Sequence, residues 1–590
     1  MITFCRVRPA SRVIPAWAST RRREGTTTVE GAGFGPEDLA AACAEGLLPV
    51  SASAAVPGAA AWVVPPQDAE RLAAAGVPGW RLTVLERGSR AAVEESLRRS
   101  AAAFLRTGRS RVAGALAAAK DSGAVVSVFV DSVADAVAAV AAGAGDLLLR
   151  DWDTERLGQL RNALAGGLLV ERTAFPLGVS YRQAVGSLDP MVLAAYLRLT
   201  DASGAARPRS GWAPGQMAPL PPPAPRLSAE WADPAWAGSP GTVRPLLAAI
   251  LERSLQGERP SVEEVEALLG ARGGEVEAVA EVADGLRRRA NGDRVTYVVN
   301  RNINYTNRCI YRCEFCAFSL GSREAPGRQA PYLLNLEEIA RRAVEAEEAG
   351  ASEVCLQGGI HPGFTGDFYV QVVAAVKTAA PRLHVHAFSP LEVWQGAHSL
   401  GVGVGDFLRR LRDAGLGSLP GTAAEILDDE VRRVLCPDKL DTARWVEVVA
   451  AAHALGIPST ATMMFGHVDS PASWARHLDV LARLQDRTGG FTEFVPLPFV
   501  HMEAPIYRSG RARPGPTWDE VVLIHAVARI ALDGLVPNIQ ASWVKLGLDG
   551  AAALLQAGAN DLGGTLMDES ISRAAGAAHG RAVTPGDLEA

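Results

Sequence analysis

Three cysteines, Cys309, Cys313 and Cys316, stand in a C-x-x-x-C-x-x-C run inside the stretch NINYTNRCIYRCEFCAF. That spacing lets one short loop aim three thiolates at a single point, so the rest of the fold must hold that loop still. A cubane 4Fe-4S cluster normally takes four cysteines, and three leave one iron open to a small molecule. Zinc sites add a fourth Cys or a His at a fixed offset, and no CxxC or HxxxH partner follows here. Disulfides fit worse, because the seven cysteines are an odd number and no secretory signal is evident at the start.

At 590 residues the chain is too long for one ordinary domain. A formal net charge of -6 argues against a general nucleic-acid binder. No apolar run reaches the length of a membrane span, so no membrane partner is expected. Cys5, Cys43, Cys355 and Cys436 read as reduced thiols, which suits a reducing cytoplasm and an oxygen-sensitive cluster. The opening residues are rich in Arg and lack an acid until Glu24. That is the composition of a transit peptide, but an Ala/Arg/Gly-rich chain with a basic start is the preferred reading.

From about residue 58 to 200, short apolar runs (AAWVV, WRLTVLE, AVVSVFV, DLLLRD, GLLVER) alternate with helical patterns such as DAERLAAAG, SRAAVEESLRRSAAAFL, SVADAVAAVAAG and DTERLGQLRNAL. Such units predict an α/β domain over 1–202, a partial, degenerate or complete barrel. Asp131, Asp151 and Asp153 sit at expected strand ends, where helix caps are the simpler reading. This domain has no cysteine triad, and a scaffold or docking surface is expected of it. Residues 203–242 are dense in Pro, Gly and Ala and predict an extended linker. Its PLPPPAP run serves as a spacer without needing an SH3-type partner.

The third segment, 243–590, opens with three helical stretches, and Ser261 with Glu264 forms a capping box. VTYVVNRNINYT then alternates as a first strand should. A parallel barrel places its chemistry at the C-terminal strand ends, so the cysteine loop would lie over the barrel mouth. EVCLQGG, LHVHAFS, the segment near GSLPGTAAEI, STATMMFG, EFVPLPFV and NIQASWV are the expected further strands.

With its flanks the cysteine stretch resembles radical S-adenosylmethionine (SAM) enzymes, and within them the CofH family. The blocks that carry the resemblance include VTYVVNRNINYTN, CEFCAF, EVCLQGGIHP, HVHAFSPLE, PGTAAEILDDEVRR, TMMFGHVD, GGFTEFVPLPFVH, ASWVKLG and GANDLGGTLMDE, over residues 241 to 580. The resemblance implies a radical SAM (β/α) barrel, a 4Fe-4S cluster on Cys309, Cys313 and Cys316, and SAM chelating the open iron. Phe315 would lie against adenine or shield the cluster, and Gln357, Gly358 and Gly359 match the glycine motif beside SAM's amino group. Glu425 and Arg432 are candidates for SAM's charged groups. His384, His386, His467 and His501 fall at or after candidate strands. With Glu493, Lys545, Asn560 and Asp561 they are candidate substrate contacts.

The family reaction joins the 4-hydroxybenzyl group of L-tyrosine to 5-amino-6-(D-ribitylamino)uracil in deazaflavin (FO) biosynthesis. It needs a reducing electron donor and a separate CofG-type enzyme to close the ring. In fused FO synthases a CofG-like half precedes the CofH-like half. The front domain here takes that place without its cysteine loop, so CofG chemistry is not assigned to it. An aminofutalosine synthase-like enzyme of menaquinone biosynthesis is the runner-up, and a non-catalytic iron-sulfur protein is the rival from another class.

Overall fold

The computed structural model describes residues 132–141, 154–163, 180–188, 190–208, 211–222, 243–319 and 330–590, together with the earlier strands named below. The chain divides into two compact units. One is Met1–Arg209 with Gly238–Thr242 and Gly510–Arg513, and the other is the remainder.

The first unit is a closed barrel of eight strands in sequence order. These are β1 (Ile2–Val7), β2 (Thr28–Gly31), β3 (Leu48–Ser51), β4 (Ala61–Val64), β5 (Trp80–Leu85), β6 (Ala102–Leu105), β7 (Val125–Val130) and β8 (Asp146–Arg150). Every neighbouring pair is parallel, and β1 pairs with both β2 and β8 to close the ring. Two sequence readings are corrected here. The basic start contains a strand, and AAFL, read as the end of a helix, is β6. A four-residue apolar run looks alike as buried strand or helix end, and only its pairing to β5 and β7 decides. Ser132 caps the helix Val133–Ala141, its hydroxyl accepting from Asp135 N at 3.1 Å. Asp131, Asp151, Asp153 and the GLLVER stretch lie outside the described residues.

The second unit begins with the expected helices Pro245–Leu255, Val262–Leu269 and Gly274–Asn291, and Ser261 and Glu264 do form a capping box. Its strands are β9 (Thr296–Val298), β10 (Asn300–Asn304), β11 (Glu353–Gln357), β12 (His384–Ala387), β13 (Ser459–Phe465), β14 (Phe491–Pro498), β15 (Asn538–Ile539) and β16 (Asp561–Gly564). Three parallel sheets, β10-β11-β12, β13-β14-β15 and β16-β9, are joined by single parallel bridges. His386 bridges Ser418, Leu419 bridges Ser459, and Gln540 bridges Asp561. The run of parallel neighbours thus returns on itself as a barrel. The segment near GSLPGTAAEI contributes only the bridges at Ser418 and Leu419.

The apolar core lies outside this ring. Val354 and Leu356 of β11 and Val385 and Ala387 of β12 pack with Ile339, Ala343, Val372 and Val376 from the helices Leu336–Glu348 and Gly366–Ala379. Each fully buried Val, Leu or Ile contributes about 1.5–3 kcal/mol. Side chains alternate along a strand, so the residues between these, Glu353, Cys355, Gln357, His384 and His386, face the lumen. The same alternation about buried Ile303 turns Asn302 and Asn304 inward.

Part of the Pro-rich stretch read as a linker packs on this second unit. Trp212 is buried and meets Trp518 edge-on with centroids 5.2 Å apart. Gly215 N donates to Lys545 O at 2.7 Å, and Ala578 N donates to Gly215 O at 2.8 Å. Gly215 has φ +82, and a Cβ there would also crowd Ala577.

Candidate active site

The cysteine loop leaves β10 at its C-terminal end and is pinned by backbone hydrogen bonds from several directions. Ile310 N donates to Ile360 O at 2.9 Å, Glu314 N to Leu435 O at 2.8 Å, and Ile506 N to Glu314 O at 2.8 Å. Arg312 N donates to Asp438 Oδ2 at 3.0 Å. Cys309, Cys313 and Cys316 are unbridged and partly buried. Backbone amides already point at two of the sulfurs, Ile360 N at Cys309 Sγ (3.4 Å) and Ser319 N at Cys316 Sγ (3.3 Å). Burial pushes the Cys313 and Cys316 thiols above their ordinary range; charge on Cys316 adds to the first and charge on Cys309 to the second. Three thiols close enough to repel as thiolates, with amides aimed at sulfur, are a donor set that fits an iron-sulfur cluster.

Gly358 and Gly359 are required by close approach. A Cβ on Gly359 would stand 2.1 Å from Arg308 O, and one on Gly358 would stand 2.4 Å from the Tyr305 ring. The pair therefore lets the end of β11 lie flat against the root of the cysteine loop, with Gly359 N donating to Thr306 O at 2.9 Å. Gln357 Nε2 reaches Cys355 Sγ at 3.4 Å. Tyr305 donates to buried Glu392, whose other oxygen accepts from Ser389 N at 2.7 Å and Ser389 Oγ at 2.6 Å. Burial raises the Glu392 pKa. Neither Tyr305 nor Glu392 was singled out from sequence, because the two stand 87 positions apart.

Phe315 lies beneath Lys439, with Nζ 5.6 Å from the ring centroid. Lys439, also missed from sequence, pairs with Glu425 at 2.6 Å. Glu425 has φ +46 and Ala423 φ +62, so the backbone that presents this carboxylate is strained. Phe388, Leu566 and Met567, the other described non-glycine residues at positive φ, also follow strand ends. Arg432 is buried beneath the same turn. Its guanidinium donates to Leu440 O (Nε, 3.0 Å), Ala423 O (3.3 Å), Ile426 O (3.4 Å) and Ala424 O. It shapes the turn that carries Glu425.

The candidate substrate residues are scattered. His384 opens β12 at the end of the strands opposite the cysteine loop, His386 follows two residues on, and the two share Ser418 Oγ at 2.7 Å each. Glu493 and Asp561 hydrogen-bond to one another, and burial raises both pKa values, Glu493 far above the carboxylate range. Glu493 Oε1 and Asn302 Oδ1 are buried with no hydrogen-bond partner. Asn560 is fully engaged with Arg529, Ile539 N and Asn538. His467 is enclosed, accepting from Val468 N at 2.7 Å. His501 meets Tyr507 edge-on at 4.4 Å. Lys545 Nζ donates to Ser572 Oγ at 2.7 Å, and burial lowers its pKa.

Comparison with known proteins agrees with this geometry. Residues 303–481 match the model of the Radical SAM superfamily, and residues 488–585 match the CofH/MqnC C-terminal region. The chain is 54% identical over 310 residues to the 5-amino-6-(D-ribitylamino)uracil--L-tyrosine 4-hydroxyphenyl transferase of Methanopyrus kandleri, covering 52% of this chain and 83% of that protein. It is 55% identical over 322 residues to the FO synthase of Mycobacterium leprae and 53% identical over 326 residues to that of Streptomyces coelicolor. In each case the match covers 55% of this chain but only 37% of the FO synthase.

Proposed function

We infer, for a chain that belongs to the CofH family of radical SAM enzymes, that its second unit joins the 4-hydroxybenzyl group of L-tyrosine to 5-amino-6-(D-ribitylamino)uracil. The observation that carries this reading is the 54% identity to a transferase so named, along 83% of that protein's length.

When bound at the cysteine loop, a 4Fe-4S cluster and SAM supply a one-electron, hydrogen-abstracting reagent. Cys309, Cys313 and Cys316 hold the cluster, and the amides of Ile360 and Ser319 steady two of their sulfurs. Phe315 gives an apolar wall, while Glu425 offers a carboxylate to SAM's ammonium group. Within the lumen, Asn302 Oδ1 is a buried acceptor without a partner, which suits an N–H group of an aminouracil. A reducing electron donor and a separate CofG-type enzyme complete the route to FO.

The test is anaerobic turnover of the reconstituted protein with SAM, a reductant, L-tyrosine and the diaminouracil, read by mass spectrometry. The expected product is a hydroxybenzyl-uracil adduct that disappears in Cys313→Ala and is converted to FO when a CofG-type enzyme is added. SAM cleavage without the adduct would remove the substrate assignment and leave the class.

A further inference from the structure

Far from the cysteine loop, β11 and β12 begin with a second cluster of ligand-type side chains. Glu353 and His384 are register partners on neighbouring parallel strands, and His386 lies one pleat further along the same face. One ligand atom from each lies within 4.8 Å of the others. Their orientation is fixed from outside, as it is around protein metal sites. Ser418 Oγ lies 2.7 Å from His384 Nε2 and from His386 Nδ1, and Asn300 Nδ2 donates to Glu353 Oε1 at 3.1 Å. Gly417 leaves the space in which the His384 ring sits, for a Cβ there would stand 2.3 Å from His384 Cε1.

Carboxyl groups crowd this end of the barrel. Burial raises the pKa of both Glu493 and Asp561, and the charge of Glu353 adds to each, so three carboxyl groups share one neighbourhood. Among the described residues, no lysine or arginine forms an ion pair with any of the three. Glu493 Oε1 is buried there without a partner. A metal ion meets neutral imidazole and carboxylate together.

We propose that Glu353, His384 and His386 bind a divalent transition-metal ion of the Zn2+ type at the N-terminal end of the second barrel, independently of the cysteine loop. Two imidazoles and one carboxylate are a common donor set for such ions and leave coordination positions for water. Exposure of His384 gives the ion a way in from solvent.

The experiment uses the full chain carrying Cys309→Ala, Cys313→Ala and Cys316→Ala together, which removes the cluster ligands. Co2+ serves as the probe, titrated and read by its visible absorption, with bound metal counted by elemental analysis after dialysis. One equivalent of Co2+ is expected, displaced by Zn2+. Adding Glu353→Gln or His384→Ala should weaken binding by at least about tenfold, as loss of a site residue does. Gly417→Ala, which displaces the His384 ring without removing a ligand, should weaken it too. Circular dichroism identifies any variant that fails to fold, and the unsubstituted site remains the primary reading. No bound Co2+ in the chain lacking the three loop cysteines, or unchanged affinity in folded Glu353→Gln and His384→Ala, overturns the proposal.

Discussion

Lys439 Nζ lies 2.6 Å from Glu425 Oε1, and both side chains are almost fully enclosed at the edge of the cysteine loop. Burial alone would lower the lysine pKa, but Glu425, Cys313 and Cys436 outweigh it and raise it. The geometry is that of an ion pair. Lys439→Met should strand the Glu425 carboxylate and cost about 3–5 kcal/mol, the usual penalty for breaking a buried pair. The double variant with Glu425→Gln should recover part of the loss. Urea denaturation of the single and double variants checks this, and equal stability of the two would refute the ionic pairing.

Gly359→Ala should disturb the cysteine loop, because the new Cβ meets a backbone carbonyl, Arg308 O, with no flexible side chain to give way. Overpacking of this kind costs about 1–3 kcal/mol. Iron content after reconstitution should fall relative to wild type. Gly405→Ala is the control: it lies in the helix Val404–Asp413 with nothing within 4 Å of the added Cβ. That change should stabilise by about 0.5–1 kcal/mol and leave the iron content alone.

Three enclosed histidines make the second unit sensitive to acid. Burial lowers His453 and His525 to about 4 and His477 to about 3. Each is neutral in the fold, while the unfolded chain takes up a proton near pH 6.5. The folded state therefore binds fewer protons between about pH 6.5 and 4, and stability falls as pH is lowered through that window. Glu392 and Glu493, whose pKa values are raised, act in the opposite sense. A variant comparison separates the two. His453→Gln should reduce the slope of stability against pH in this window, by up to about 1.4 kcal/mol per pH unit. An unchanged slope in chemical denaturation would show that His453 does not titrate on unfolding.

Trp212 carries a prediction about where the second unit begins. Trp212→Ala should cost about 3–5 kcal/mol, as loss of a buried aromatic usually does. A chain starting at Ser210 should accordingly melt higher than one starting at Val243. Equal melting temperatures for the two chains would mean that the Trp212 contact with Trp518 contributes nothing to stability.

Local patterns were the legible ones. The cysteine loop, the capping box at Ser261 and the long amphipathic helices each depend on residues a few positions apart, and sequence reading found them. The front barrel was seen only in part. Its strands β2 and β3 are four residues each and carry little more signal than a loop, β1 lies in the Arg-rich start, and β6 is distinguished from a helix by its neighbours alone. In the site, the residue types were readable but not their partners. Arg432 has the charge to meet a carboxylate, yet its donors turn to the backbone carbonyls of Ala423 and Leu440. Lys439 and Glu392 act through contacts 14 and 87 positions away, which no periodicity records.

The apolar packing between strands and helices and the polar lining of the lumen occupy different layers of the second barrel. Val354, Leu356 and Val385 hold the wall, while Asn302, Glu353 and His386 look inward from alternate positions on the same strands. Neighbouring residues thus answer to separate demands, one set to folding and the other to molecular recognition. A barrel divided in this way can have its interior rewritten for a new guest while its walls stay up.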